Sequence, residues 1–392
     1  MTHTTTASAL RLMALMGLTQ ILGFGTTLYL PAVLARPIAA DTGWSLGSVV
    51  AGLSGALLIA GFASPRTGRW IDEYGGRPVL AAASVVLAAG LALMGLAPNL
   101  PVYYLAWAML GLGMALGTYD AAFATLARLY GLQARTAMSG LTLLGGLAST
   151  ACWPVMAALE AALGWRLTCF ALAAAHLFIA LPIHLFGVPK EPRRTPAPAR
   201  GGAETGAAHP AAATKLFVLV AAMLTTHYAV MSTISVHVLD ILGRLGIAAA
   251  AALAIGMVFG PAQVAGRLVE LGVLRRVHPT WSARGALLVC LAGIAMLLFA
   301  APGLAFVAMA LFGAGNGVLT ILRGTLPLKL FGAEGYGTRQ GALALPILAA
   351  QAVAPLLVAI LIDAAGVRAT LGLLCVLLLL AFAASLRLPA RD

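Results

Sequence analysis

From Val79 to Ala97 the chain carries no charged side chain, and none stands between Val49 and Pro65 either. A helix rises about 1.5 Å per residue, so the first of these runs is about 28 Å long as a helix, close to the roughly 30 Å of a bilayer's hydrocarbon core. Such runs recur along the whole chain. We count twelve, centred near Gly23, Gly55, Ala88, Gly111, Gly145, Ala174, Val230, Gly256, Gly293, Gly315, Gln351 and Leu377. With 61% hydrophobic and 9% charged residues, against about 25% charged in soluble domains, no water-soluble core absorbs them. The expected class is an all-α integral membrane protein with twelve transmembrane helices.

Between the two uncharged runs lies a stretch dense in charge and glycine, Gly68-Arg69-Trp70-Ile71-Asp72-Glu73-Tyr74-Gly75-Gly76-Arg77. Charge is expensive inside a bilayer, so this stretch is expected as a tight helix-to-helix loop at the membrane surface. Its glycines allow a sharp turn and close helix approach. Asp72 is suited to complement a nearby helix N-terminus, and the arginines hold the turn on an anionic cytoplasmic face. A weaker copy stands half a chain later, Gly266-Arg267-Leu268-Val269-Glu270 followed by Arg275 and Arg276, and a proline precedes each copy, Pro65 and Pro261.

The pattern Gly68-x-x-x-Asp72-x-x-Gly75-x-Arg77 resembles the signature of the major facilitator superfamily, which lies between transmembrane helices 2 and 3. The resemblance covers the whole chain. It implies the major facilitator fold, two pseudo-symmetric six-helix bundles, and a secondary transporter that works by alternating access.

The formal charge of +12 does not point to nucleic acid, because of where the positive residues fall. With the N-terminus inside, every large cluster lies on the cytoplasmic side: Arg66, Arg69, Arg77; Arg128, Arg135; Lys190, Arg193, Arg194, Arg200, Lys215; Arg267, Arg275, Arg276, Arg284; Lys329, Arg339; Arg387, Arg391. The outer loops keep Arg36, Arg166, Arg244 and Arg368, each with an acid near in sequence: Asp41, Glu160, Asp240 and Asp363. Both termini are therefore expected in the cytoplasm, the protein being a monomer in the lipid bilayer of a bacterial inner (plasma) membrane. The N-terminus shows no cleavable signal pattern. Cys152, Cys169, Cys290 and Cys375 lie in apolar runs without metal-ligand spacing and read as packing residues. No metal or other cofactor is implied.

From Pro189 to Thr214 the composition turns to Pro, Ala, Gly and Arg, too poor in apolar surface to fold. The expected domains are an N-terminal bundle at 1–188, a cytoplasmic linker at 189–214 and a C-terminal bundle at 215–392. The halves align in places. Thr19, Gln20 and Thr26 match Thr226, His227 and Thr233 at one constant offset, Gly164-Trp165-Arg166 matches Gly366-Val367-Arg368, and Gly111-Leu112-Gly113 matches Gly313-Ala314-Gly315. Internal symmetry of this kind belongs to transporters whose substrate site lies between two repeats.

Ionisable groups within a span cost roughly 2.5 to 3.5 kcal/mol on insertion scales, so those that occur are candidates for function. Arg323 stands six residues before Lys329, about 9 Å inside the tenth span. Asp120 stands eight before Arg128, about 12 Å inside the fourth. Arg323 suits a carboxylate, which its planar fork can grip with two bonds; as a structural residue it would instead snorkel or pair permanently with Asp120. Asn316 and Thr320 share its face. Asp120 is a candidate proton site, or half of an Asp120–Arg323 gate. His227, opposite Gln20 in the repeat, titrates near neutral pH in its free form and is a candidate for either role. Thr27, Tyr29, Tyr119 and Gln351 are further candidate cavity residues, since the resemblance implies a cavity lined by helices 1, 4, 7 and 10. His176 and His184 read as structural, and His237 with Asp240 as a solvated pair.

A narrower likeness is to the monocarboxylate porter branch, through Gly43-Trp44-Ser45, Gly76-Arg77-Pro78-Val79 and Tyr130-Gly131 to Gly146. It implies proton-coupled movement of small organic anions. The chain departs from that branch in lacking its acid-glycine-tryptophan start in helix 1 and its acid and arginine in helix 8. The alternative is a proton-driven exporter of amphipathic drugs, cations or metalloid compounds, with Asp120 receiving the cation. A membrane-embedded enzyme or receptor would need a catalytic constellation or a folded sensory domain, and neither is visible. The expected partners are thus a small-molecule substrate and protons, not nucleic acid.

Overall fold

The computed structural model of the protein describes residues 6–193, 210–299 and 302–390, so most of the expected linker lies outside the described residues. Among these residues the chain is helical, without strands. The first apolar run forms α1 (Thr6–Gly25) and α2 (Leu30–Thr42), followed by α3 (Leu46–Tyr74), α4 (Gly76–Leu96), α5 (Leu100–Gly117), α6 (Tyr119–Tyr130), α7 (Ala134–Gly145) and α8 (Ala148–Ala175). Two π-helical turns, His176–Ala180 and Ile183–Gly187, extend α8. Then come α9 (Pro210–Arg244), α10 (Ala249–Gly272), α11 (Pro279–Phe299), α12 (Ala305–Phe331) and α13 (Tyr336–Leu386).

Among the described residues nine helical runs are long and apolar enough to cross a membrane, and two are far too long for one crossing: Leu100–Gly187 with 88 residues and Tyr336–Leu386 with 51. Gly131 (φ 57°) and Gly164 (φ 76°) interrupt the first and Gly366 (φ 83°) the second. Only glycine takes such left-handed angles without strain. Reading each interruption as a reversal of direction gives twelve crossings, and the matched triplets Gly164-Trp165-Arg166 and Gly366-Val367-Arg368 mark equivalent reversals.

Two loop expectations are corrected. The Gly68–Arg77 stretch is not a loop: α3 continues through Tyr74, α4 starts at Gly76, and Gly75 alone turns the chain (φ 88°, ψ 166°). Charged side chains beyond the apolar zone do not oppose helix, and continuing the helix satisfies their backbone groups. Likewise Arg36 to Thr42, expected as loop, is helix up to a C-cap at Gly43 (φ 72°) whose N–H donates to the Ala39 carbonyl. The first span, expected as one helix, is broken at Thr26–Tyr29. Pro31 explains this, since its ring excludes the carbonyl of Thr27 from helical position and removes an N–H.

The chain divides into two compact units, Met1–Arg194 with Phe331–Ala349 and Thr195–Leu330 with Ala350–Asp392. Each repeats one packing device. A Cβ at Gly111 of α5 would overlap the Ala56 backbone of α3, and a Cβ at the matching Gly313 of α12 would press on the Phe259 carbonyl of α10. The aligned glycines let the fourth span of each repeat lie against the second. Around these contacts Tyr103, Trp107 and Phe123 fill the core of the first unit and Phe312 that of the second.

Candidate functional site

The second unit holds a buried polar cluster on α9 and α12. His227 Nε2 donates to Asn316 Oδ1 at 3.0 Å, and both side chains are fully buried. Thr320, one turn on, returns its hydroxyl to the Asn316 carbonyl at 2.8 Å. Arg323, 6% exposed, places its guanidinium 4.9 Å over the ring of Tyr228, a cation–π contact that leaves a planar cation within the span. Asn316, Thr320 and Arg323 fall at i, i+4 and i+7, so one face of α12 carries all three. Tyr228 was not among the expected residues; its signal was adjacency to His227 in an apolar run.

In the first unit the counterpart of His227 is Gln20, and it bonds differently. Its Nε2 donates at 2.8 Å to the carbonyl of Gly117, the last residue of α5. That carbonyl is free because the fourth span opens at Thr118 (φ −86°, ψ −168°) before restarting as α6. The third opening in this unit lies between α7 and α8. Tyr119 sits against the openings: its ring meets Phe24 at 4.5 Å, stacks on Phe123 at 5.5 Å, and its hydroxyl donates to the Thr142 carbonyl at 3.3 Å. Thr27 donates to the Gly23 carbonyl at 2.6 Å, and Tyr29 meets Trp153 edge-on at 6.0 Å. Gln351 is half-buried on α13 in the second unit.

Asp120, expected in mid-helix, lies instead in the first turn of α6 because of the Thr118 opening. A carboxylate is favourably placed at a helix N-terminus. It is 8% exposed and accepts from Gln340 Nε2 at 2.8 Å. Gln340, on α13, was missed in the sequence, where it shows only as one amide beside Arg339. A small cleft beside Asp120 is lined also by Ser64, Thr67 and Gly337.

Asp72 grips the start of the same helix. Its Oδ1 accepts from the Gly337 N–H at 2.9 Å, and its Oδ2 from the Thr338 N–H at 2.7 Å and hydroxyl at 2.8 Å. Gly68 makes this approach possible, since a Cβ there would overlap the Gly337 carbonyl. Arg128 secures the other side of the signature, donating to the Ile71 carbonyl at 2.9 Å, to the Asp72 carbonyl, and to Glu191 at 3.1 Å. Gly75 lies beside Glu191, Arg77 is half-buried and Arg69 exposed. In the second copy, Gly266 lies against the Ala314 carbonyl of α12, Arg267 donates to Gln263 at 3.3 Å, and Glu270 is fully buried.

Several sequence pairings change partner. His237 Nε2 donates to the Pro355 carbonyl at 2.9 Å and does not pair with Asp240; Asp240 bonds Arg244 at 3.0 Å, which reaches on to Asp363 at 2.7 Å. Arg166 pairs with Asp41 at 3.5 Å, not with Glu160. Helix ends distant in sequence meet there, and sequence proximity misleads. His176 bonds Thr26 at 2.7 Å and His184 bonds Ser84 at 2.8 Å, both buried. The four cysteines are free thiols, and among the described residues no group of metal-ligating side chains gathers.

The sequence matches the family model of the Major Facilitator Superfamily over residues 15–345. No curated protein matches it. Among solved structures, the human organic anion transporter MFSD10 (TETRAN) superposes with a TM-score of 0.75 at 16% identity, covering 96% of this chain and 99% of that one. The transporter FucP in its outward conformation gives 0.76 at 12% identity, covering 96% and 98%. The proton:xylose symporter XylE bound to 6-bromo-6-deoxy-D-glucose gives 0.71 at 12% identity, covering 96% and 95%. At such identities the likeness is one of fold.

Proposed function

Because the chain belongs to the major facilitator superfamily, we propose that it is a proton-coupled carrier of a small organic anion, working by alternating access. It is an integral membrane transporter and not an enzyme. The observation that carries the anion reading is Arg323, a cation 6% exposed within an apolar helix, flanked by Asn316 and Thr320 and backed by the Tyr228 ring. A cation placed there at a cost of a few kcal/mol earns its position by binding a negative group. Two fold neighbours, an organic anion transporter and a proton:xylose symporter, accord with an anion and a proton as the travelling species.

Asp120 carries the proton in this reading, or gates the path together with Arg323. Its bond from Gln340 suits both roles, because a carboxyl accepts an amide N–H whether ionised or neutral. The repeats at 1–188 and 215–392 are the moving halves. The grip of Asp72 on Gly337 and Thr338 is then a latch that opens once in each cycle. Gln20, Thr27, Tyr29, Tyr119 and Gln351 supply secondary contacts to the solute. The orientation follows the positive-inside pattern in a bacterial inner membrane, both termini cytoplasmic.

The test is thermal stabilisation of the purified protein by small mono- and dicarboxylates and, in parallel, by lipophilic cations, followed by uptake into proteoliposomes under an imposed pH gradient. A carboxylate is expected to stabilise the wild type, and Arg323→Gln to abolish both stabilisation and uptake. Asp120→Asn is expected to abolish the response to the pH gradient. Stabilisation by cations alone, with Arg323→Gln silent, replaces this reading with that of an exporter.

A further inference from the structure

We propose that His227 and Asn316 together form a subsite for a hydroxyl group, so that the transported solute is a hydroxylated carboxylate rather than a plain alkanoate. This rests on the reading of Arg323 as the carboxylate site. The pair joins α9 to α12 through one hydrogen bond, His227 Nε2 to Asn316 Oδ1 at 3.0 Å. An amide oxygen only accepts, so the proton of the imidazole is on Nε2 and the other ring nitrogen, Nδ1, presents a lone pair. That Nδ1 and the amide Nδ2 of Asn316 are both buried and have no hydrogen-bond partner among the described residues. The hydroxyls of Thr225 and Thr233, also on α9, are in the same condition.

Buried polar groups are nearly always satisfied, and leaving one unmatched costs about 1–3 kcal/mol. His176 and His184 each also show one bare nitrogen, but their partners Thr26 and Ser84 are hydroxyls that already donate to a backbone carbonyl. The His227–Asn316 pair differs in leaving an acceptor and a donor open at one contact. A hydroxyl is the small group that donates to the first and accepts from the second. A ketone accepts only, and an ammonium donates only and is repelled by the neighbouring guanidinium.

The spacing fits a single small molecule. The His227 ring lies 5.3 Å from that of Tyr228, and the Arg323 guanidinium lies 4.9 Å from the same Tyr228 ring. One tyrosine ring therefore separates the cation from the open polar pair, a distance that a chain of a few carbons covers. A site built to bond a hydroxyl rejects the analogue without it, because its own groups are then left unpaired.

The experiment is calorimetric titration of the full chain in lipid nanodiscs with matched acids: glycolate against acetate, 2-hydroxypropanoate against propanoate, gluconate against hexanoate. In the wild type the hydroxylated member of at least one pair is expected to bind about ten-fold tighter or more. In Asn316→Leu and, separately, in His227→Leu, that ratio falls to about one while the plain acid still binds; Arg323→Gln loses both members. The wild-type comparison stands even where a variant fails to fold. Equal binding of both members in every pair overturns the hydroxyl subsite and leaves the anion reading intact. A preference that survives both leucine variants places the hydroxyl elsewhere and also overturns it. Binding of no carboxylate at all overturns the anion reading and this inference with it.

Discussion

Gln20 and His227 occupy the same position in the two repeats, yet they solve different problems. In the first unit the fourth span is open at Thr118, and Gln20 reaches over to satisfy the freed Gly117 carbonyl. In the second unit α12 runs unbroken, all its interior carbonyls are used within the helix, and His227 must find a side chain, Asn316. The first unit therefore uses its intramembrane polar groups to repair interrupted helices at Thr26–Tyr29, Thr118 and Gly146. The second keeps α9 and α12 continuous and leaves polar atoms of His227, Asn316, Thr225 and Thr233 open. Pseudo-symmetry of backbone thus coexists with a division of labour: pliable helices in one unit, recognition chemistry in the other.

The sharpest way to break this comparison is the double substitution His227→Leu with Asn316→Leu. Replacing both partners of a buried bond by apolar groups is close to neutral for stability, so the melting temperature is expected to hold while carboxylate-driven uptake falls about a hundred-fold, the loss of two buried polar contacts at about 1–3 kcal/mol each. A large drop in melting temperature with uptake per folded molecule unchanged would make the pair a structural bond like that of Gln20.

Next in size is Pro31→Ala. Removing the proline allows α1 and α2 to join, as α9 does without a break, and relieves a helix defect worth up to about 3 kcal/mol. If the opening is part of the transport cycle, turnover is expected to fall about ten-fold with no loss of thermal stability, as the defect and its relief are of that order. Unchanged turnover would show the opening to be incidental. The smallest effect belongs to Gln20→Leu, which strands the Gly117 carbonyl and is expected to destabilise the protein by about 1–3 kcal/mol, read as a lowered unfolding midpoint. A midpoint equal to wild type combined with lost substrate affinity would move Gln20 to the recognition side and erase the contrast.

Much of this was legible in the chain. Uncharged runs of span length announced the membrane, and glycine-charge stretches between them marked the turns. The constant offset linking Gln20 to His227 revealed the repeat before any contact was known. Asp72 was readable as a helix N-terminus partner because a carboxylate stranded between two apolar runs has few other places to bond. The helix openings were less legible: Pro31 signals one, but nothing local separates Gly117-Thr118 from the Gly-rich stretch of α12 that stays helical. Gln340 and Arg128 were passed over for the same reason, since a polar residue near a helix end has many ordinary uses.

The sequence by itself determined where the chain meets lipid and where it meets water, because hydration and insertion energies are properties of each residue and sum along a run. It determined the repeat too, because aligned residues need no structure to be counted. Tertiary structure alone decided which polar atoms are answered and which are left open. A hydrogen bond depends on what lies within about 3 Å, and helices distant in sequence supply that neighbour. Gln20 is answered by a carbonyl ninety-seven residues away and Asp120 by an amide two hundred and twenty away.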